Sequence, residues 1–165
     1  MLSAWIVLLM VALQPDAPWI DSYTATSKAI AEQAEQDPIF TGAEGTERTA
    51  ALLVSLAWFE SRFDPDAMGD HGKAFGLYQV QAGGDRGPRL LGDARAATES
   101  ATWEIRRSFQ ACRRQPFEER LAFYASGSCS KGIPHSKHRI ELAQRLLKTY
   151  PPPFHFEARQ PLAVD

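Results

Sequence analysis

The segment from residue 49 to residue 80 constrains the fold of this chain more than any other part of the sequence. Residues 50–63 are almost all helix formers or apolar side chains. The pair Asp64-Pro65 ends such a helix, because the residue before a proline is disfavoured in the α region. Apolar side chains recur at helical spacing on more than one face, at Leu52, Leu53, Leu56, Ala57, Phe59 and Phe63. We therefore predict a helix that is buried almost all round.

Glu60 lies in the last turn of this predicted helix, with apolar residues on its own face. Partial burial disfavours the charged form of a carboxylic acid, and this is the condition that a general acid requires at neutral pH. The alternative is a glutamate that points into water or pairs with Arg62 or with a lysine. Position alone favours this alternative, so the choice depends on the residues that follow.

The residues after Glu60 form a pattern with fixed spacings: Glu60-Ser61, then Phe63, Pro65 and Ala67, then Gly76-Leu77-Tyr78-Gln79-Val80. This pattern resembles the signature of the soluble lytic transglycosylase family, enzymes of the lysozyme-like superfamily that cut the glycan strands of peptidoglycan. The family has methionine where Tyr78 stands.

A second stretch, Phe123-Tyr124-Ala125-Ser126-Gly127, resembles another motif of the family, Ala-Tyr-Asn followed by a small residue and glycine. Tyr124 matches this motif, whereas Ala125 replaces the asparagine. We expect the hydrogen bond of that amide to be lost, or to be made by Ser126 or Ser128.

The resemblance implies a reaction that uses a single acid and no cofactor. Glu60 would protonate the oxygen of the β-1,4 bond between N-acetylmuramic acid and N-acetylglucosamine. As a base, Glu60 would then take the proton of the muramic acid 6-hydroxyl, so that a 1,6-anhydro ring forms.

The candidates for contacting the substrate are Ser61, Tyr78, Gln79 and Tyr124. Their alternative roles are a backbone bond at the helix end for Ser61, a turn position for Gln79 and core packing for the tyrosines.

Two other functions stay open. A lysozyme-type muramidase that hydrolyses the same bond would use a second carboxylate to hold a water molecule. The candidates for it, Asp64, Asp66, Asp70 and Asp85, lie in turns where aspartate commonly bonds its own backbone. The other function is an inactive glycan-binding or assembly module of a secretion apparatus or phage particle. The missing asparagine favours that module, and the intact Glu60 and Gln79 oppose it.

The rest of the sequence predicts a mainly α fold, of the α+β lysozyme-like kind that the resemblance implies. With 165 residues, of which 44% are apolar, the chain suits one domain, which we assign to residues 18–150. Glycines between residues 69 and 87 indicate a small loop and short-strand region after the catalytic helix. Helices are predicted over residues 18–36, 94–110, 116–127 and 136–150, the last of them capped by Ser136. The proline-rich residues 151–165 are predicted to be a tail.

Residues 1–17 contain an apolar run from Ala4 to Leu13 that is too short for a transmembrane helix. Its length suits the core of a signal peptide, but no lysine or arginine precedes it and no clean cleavage site follows. A first helix packed on the domain and an exported, processed segment are both open interpretations.

Charge and cysteine content limit the partners. The net charge of −2, without a basic run, argues against nucleic acid, and the expected partner is the peptidoglycan strand, with a secretion or phage assembly partner as a further option. The four histidines lack metal-ligand spacing, so no metal is expected.

Cys112 and Cys129 are expected to form a disulfide in the periplasm, outside the cell or on a phage particle, and to be buried thiols in a reducing cytosol.

Overall fold

The chain is mainly helical and carries one small antiparallel sheet, in a computed structural model that describes residues 1–153. This confirms the predicted mainly α class with a short-strand region. The helices are α1 (Leu2–Leu13), α2 (Tyr23–Gln36), α3 (Gly45–Ser61), α4 (Ala94–Ala111), α5 (Ala122–Ser126) and α6 (Ile133–Thr149), and the strands are β1 (Met68–Gly69), β2 (Ala74–Phe75) and β3 (Val80–Gln81). Short 3-10 turns occupy Ile20–Ser22, Gly84–Arg86, Pro88–Leu90 and Phe117–Glu119. Most of the predicted tail, residues 154–165, lies outside the described residues.

Helix α3 is the centre of the molecule and packs against α1, α2 and α6. Its apolar side chains face neighbours on several sides, and Leu53, Val54 and Leu56 are completely buried. The helix ends at Ser61, since Arg62 and Phe63 both adopt left-handed backbone conformations, with φ of 56° and 64°. Glu60 therefore lies in the last turn, as predicted, although the helix begins at Gly45, earlier than residue 50, and ends at Ser61, two residues before the predicted end at Phe63.

Helix α1 packs on α2 and α3 and belongs to the same hydrophobic core. Trp5, Ile6 and Leu9 are buried there, and the indole Nε1 of Trp5 donates a hydrogen bond of 2.8 Å to the carbonyl of Tyr150. Among the described residues no helix is both long enough and apolar enough to cross a membrane.

The sheet is a three-stranded meander in the order β1-β2-β3. Phe75 pairs with Met68 on one side and with Val80 on the other. Gly76 follows at φ 67°, and a Cβ there would lie 2.6 Å from the carbonyl oxygen of Leu90, so this turn requires glycine. The meander is thereby held close to the segment that leads into α4.

The last helix begins at Ile133, three residues before the predicted start, with Pro134 in its first turn. The prediction that Ser136 caps this helix is therefore wrong. Ser136 is buried inside the first turn, where its Oγ accepts from the backbone nitrogen of Leu121 and donates to the carbonyl of Glu118. A serine that satisfies buried backbone groups of another segment is easily mistaken for a helix cap in a sequence.

Cys112 and Cys129 form a disulfide, which confirms the predicted pairing. Cys112 ends α4, and Cys129 lies in the loop between α5 and α6. The bond therefore ties the chain that follows Tyr124 and Gly127 to the end of α4.

Candidate active site

A groove of about 710 Å³ lies between the sheet and the C-terminal helices. Asp70, Gln79 and Gln81 line it from the sheet, and residues 123–127 of α5 and its C-terminal end line it from the other side. The groove is also lined by Glu60, Glu104, Arg107 and Arg139. The last turn of α3 thus places the carboxylic acid of Glu60 in the groove.

Glu60 is held through one of its two carboxylate oxygens. Its Oε1 accepts hydrogen bonds from Arg139, of 3.1 Å from Nε and 2.7 Å from Nη2. Within residues 1–153 no hydrogen bond reaches Oε2. The side chain of Glu60 is 17% exposed and that of Arg139 is 10% exposed. One oxygen is therefore fixed, and the other is available to a molecule in the groove.

Arg139 itself is positioned by three further contacts. Its Nη1 donates to the carbonyl of His135 at 2.9 Å, and its guanidinium lies 5.3 Å from the ring centroid of Phe59. Its carbonyl accepts a buried hydrogen bond of 2.7 Å from Ser55 of α3. Since both its backbone and its side chain bond to neighbours, Arg139 holds Glu60 in one orientation.

Arg139 was not predicted as the partner of Glu60, for which the sequence offered a lone acid or, as alternatives, solvent, Arg62 or a lysine. Arg62 instead stacks on Trp58, 3.6 Å from its ring centroid. The sequence did contain a signal for Arg139. It lies four residues before Ala143 and seven before Leu146, on the buried face of α6, where an unpaired charge is costly.

Tyr124 lies beside Glu60 in the groove. Its hydroxyl donates a hydrogen bond of 2.9 Å to the carbonyl of Tyr78, and its backbone nitrogen donates to Ser108. Burial, with a smaller contribution from the negative charge of Glu60, raises the pKa of Tyr124 well above its ordinary value of 10.0. Tyr124 is therefore a neutral phenol next to the acid.

Tyr78 lines the groove but is almost completely buried, which agrees with the core-packing alternative for this tyrosine. Its ring is 1% exposed and its hydroxyl lies 3.5 Å from Thr98 Oγ1 of α4. Burial raises the pKa of Tyr78. A ring this deeply buried has no free face on which a sugar can stack, so Tyr78 supports the site by accepting the hydrogen bond of Tyr124.

Gln79 makes hydrogen bonds within the sheet region, and Ser61 joins that region to the end of α3. Gln79 has a left-handed backbone, at φ 48°, and its Nε2 donates to the carbonyls of Ala67 and Gly76 at 3.0 and 2.9 Å. Ser61 Oγ bonds the carbonyl of Leu77 at 2.8 Å. Of the two, only Gln79 lines the groove.

The residues after Tyr124 do not supply a side-chain group in place of the asparagine amide of the motif. Ala125 lines the groove and carries no polar side-chain atom. The hydroxyl of Ser126 bonds the carbonyls of Ala122 and Ser128, and that of Ser128 bonds Ser130. The serines considered as substitutes for the amide are thus engaged within their own loop.

Among the four aspartates considered as a second acid, Asp70 is the one that lines the groove. Its Oδ2 accepts a long hydrogen bond of 3.4 Å from Gln81. Asp64 accepts from the backbone nitrogen of Asp66, which is the turn role that the sequence suggested. Asp85 lies in the 3-10 turn that follows the sheet. In residues 1–153 no group of three or more His, Cys, Asp or Glu side chains is close enough to hold a metal ion.

Comparison of the chain with protein-family models, with curated proteins and with solved structures finds no match in any of the three. The interpretation of the groove therefore depends on its geometry and on the sequence resemblance.

Proposed function

We propose that the chain is a lytic transglycosylase that cleaves peptidoglycan between N-acetylmuramic acid and N-acetylglucosamine, with Glu60 as general acid and base. The observation that carries the proposal is the arrangement of Glu60 in the groove, with Oε1 fixed by Arg139 and Oε2 without a hydrogen bond from the described residues. A helix that ends in this acid and is followed by a small antiparallel sheet supports a lysozyme-like fold.

In the first step Oε2 of Glu60 gives a proton to the glycosidic oxygen, and the bond from that oxygen to C1 of the muramic acid breaks. The carboxylate that remains is stabilised by Arg139. In the second step the carboxylate takes the proton of the 6-hydroxyl, and the 6-oxygen forms a bond to C1. Glu60 ends protonated, as it began, and no water is consumed.

Tyr124 and Gln79 are the side chains best placed to orient the sugar. Tyr124 lies beside Glu60 and keeps its proton, so its ring and hydroxyl act as neutral groups. Gln79 lines the groove, and both observed hydrogen bonds of its amide nitrogen go to backbone carbonyls beside the sheet, which fixes the orientation of its side chain. The Cys112–Cys129 disulfide supports an oxidising location, either periplasmic, extracellular or phage-associated.

The test is digestion of purified cell wall, followed by mass spectrometry of the products. We expect fragments that end in 1,6-anhydromuramic acid. Glu60→Gln should bind glycan but lose at least ~100-fold in rate, because the amide cannot transfer a proton. Retention of more than about a tenth of the rate by this variant contradicts the role of Glu60.

A hydrolysing muramidase is the second candidate, because Asp70 lines the same groove. A carboxylate on the opposite side of the scissile bond can hold an attacking water. Products with a reducing end, together with loss of activity in Asp70→Asn, distinguish this reaction from transglycosylation. Binding without any cleavage indicates the inactive glycan-binding module.

A further inference from the structure

Trp103 is a large aromatic side chain that the fold does not bury. It lies on α4 and is 56% exposed, whereas its neighbours Thr102 and Ile105 take the buried positions of that helix. Exposed tryptophan rings in a soluble domain commonly mark a binding surface, since their burial is favourable and the folded chain gains little from them alone.

The ring of Trp103 is connected to the groove through Arg107. The guanidinium of Arg107 lies 5.6 Å from the ring centroid of Trp103 and 5.2 Å from that of Phe123. Both Arg107 and Phe123 line the groove. Trp103, Arg107 and Phe123 thus make one continuous rim, which we call the α4 rim.

We propose that the α4 rim is a distal sugar-binding subsite, in which a pyranose of the same glycan strand packs on the exposed face of Trp103. The inference rests on the proposed function, because it assumes that a glycan occupies the groove beside Glu60. A pyranose has one flat face of C–H groups, which can pack on the ring of Trp103. The hydroxyls around its edge can accept hydrogen bonds from the guanidinium of Arg107.

Arg107 adapts the α4 rim to such a ligand. Its side chain is 53% exposed, and its ion pair with Glu104 is long, at 3.5 Å. An exposed pair of this kind contributes little to stability, so Arg107 can bond a sugar hydroxyl or an N-acetyl oxygen without a large loss. The cation–π contacts keep the guanidinium in place between the two rings.

The experiment measures binding of β-1,4-linked N-acetylglucosamine oligomers to protein that carries Glu60→Gln, which prevents cleavage. In this background we expect Trp103→Ala to weaken binding of the hexasaccharide about 5- to 10-fold, as loss of one aromatic stacking contact predicts. Binding of the disaccharide should change less than 2-fold, because a short ligand occupies the groove without reaching the α4 rim. Trp103→Tyr should restore most of the affinity.

Leu8→Ala is the matched control, since Leu8 is 49% exposed on α1 and does not line the groove. A second measurement compares tryptophan emission in the proteins with and without Trp103→Ala, and only the protein that keeps Trp103 should shift to shorter wavelength with the hexasaccharide, with no shift for the disaccharide. Equal hexasaccharide affinity in the Trp103→Ala and unsubstituted proteins overturns the inference.

The wall-digestion assay separates this inference from the proposed function. Cleavage of wall with hexasaccharide binding that does not depend on Trp103 leaves the function intact and rejects the subsite. Binding that depends on Trp103, without cleavage by the native protein, retains the subsite and rejects the enzyme. Absence of binding by every variant overturns the subsite as well.

Discussion

Two hydrogen bonds join Glu60 and Arg139 through a single carboxylate oxygen, although 79 residues separate them in the chain. The pair connects the last turn of α3 to α6, next to a second link between these helices from Ser55 to the carbonyl of Arg139. Burial disfavours both charges and their contact compensates for it, so the two residues depend on each other. Glu60, the proposed catalytic acid, is thus also part of the contact between α3 and α6.

Arg139→Met is expected to destabilise the protein by about 2–4 kcal/mol, because it leaves the carboxylate of Glu60 partly buried and unpaired. Urea unfolding followed by circular dichroism measures this loss. The double variant Glu60→Gln with Arg139→Met should regain at least half of it, since the amide carries no charge. If the double variant is as unstable as Arg139→Met alone, the loss comes from packing of the arginine stem and not from the charge.

Arg139→Lys is expected to lower the catalytic rate. Lysine keeps the positive charge but cannot donate two bonds from a planar group to one oxygen. We expect kcat on peptidoglycan to fall roughly 10-fold through disorder of Glu60, with a smaller change in KM. Arg106→Lys is the control, because Arg106 pairs with Asp37 outside the groove. Equal losses in the two variants show that the effect of Arg139→Lys is not specific to Glu60.

Tyr124→Phe removes the hydroxyl that donates to the carbonyl of Tyr78 and leaves the ring in place. The lost hydrogen bond should cost about 1 kcal/mol of stability. Cleavage should slow, because this bond fixes the ring beside Glu60. Tyr150→Phe is the matched control, since Tyr150 is 37% exposed and does not line the groove. A Tyr124→Phe protein with native stability and native rate rejects this role.

The parts of the site that depend on local sequence could be predicted. The position of Glu60 follows from the stop at Asp64-Pro65, and the strand region follows from the density of glycines. The predicted start of the last helix was wrong. Ser136 has the side chain of a typical cap, but the residues around Pro134 already form the first turn. Local rules therefore located most elements but misplaced some of their ends, and they merged the 3-10 turn Phe117–Glu119 and α5 into one predicted helix over residues 116–127.

The parts that depend on tertiary packing could not be predicted. Nothing in the periodicity of α4 shows that Thr98 donates a hydrogen bond to the hydroxyl of Tyr78, so the sequence left core packing and substrate contact both open for Tyr78. The partner of Glu60 lies on α6, and pairing across 79 residues is decided by how α3 and α6 cross. Helical periodicity indicates which face is buried, but it does not indicate which side chain lies opposite.

The Cys112–Cys129 disulfide is expected to stabilise the protein by roughly 3 kcal/mol, because it closes a short loop in the unfolded chain. The double variant Cys112→Ser with Cys129→Ser should lower the melting temperature and also the activity, since the loop after Tyr124 loses its attachment to α4. Reductant should lower the melting temperature of the native protein to the same value and leave that of the double variant unchanged. Equal melting temperatures for the native and double-variant proteins without reductant contradict a stabilising role.

Tyr23 leads to a prediction about alkaline pH. It lies in the core at 2% exposure, where its hydroxyl donates to the carbonyl of Gln14 and its ring meets Phe63 edge to face. Burial raises the pKa of Tyr23 from 10.0 to about 12. Since the raised value belongs to the folded state, the stability linked to Tyr23 is fully present below pH 10 and is lost as the pH rises to about 12.

Tyr23→Phe should therefore be less stable than the native protein by about 1 kcal/mol at pH 8, because the hydrogen bond to Gln14 is gone. Between pH 10 and pH 12 its stability should fall less steeply, since phenylalanine has no proton to lose. Urea unfolding at several pH values measures both effects, and absorbance at 295 nm follows tyrosine ionisation in the same samples. Tyr150→Phe, which changes an exposed residue, is the control. Parallel curves for the native and Tyr23→Phe proteins above pH 10 contradict the prediction, because they show that the fold does not hold Tyr23 in its neutral form.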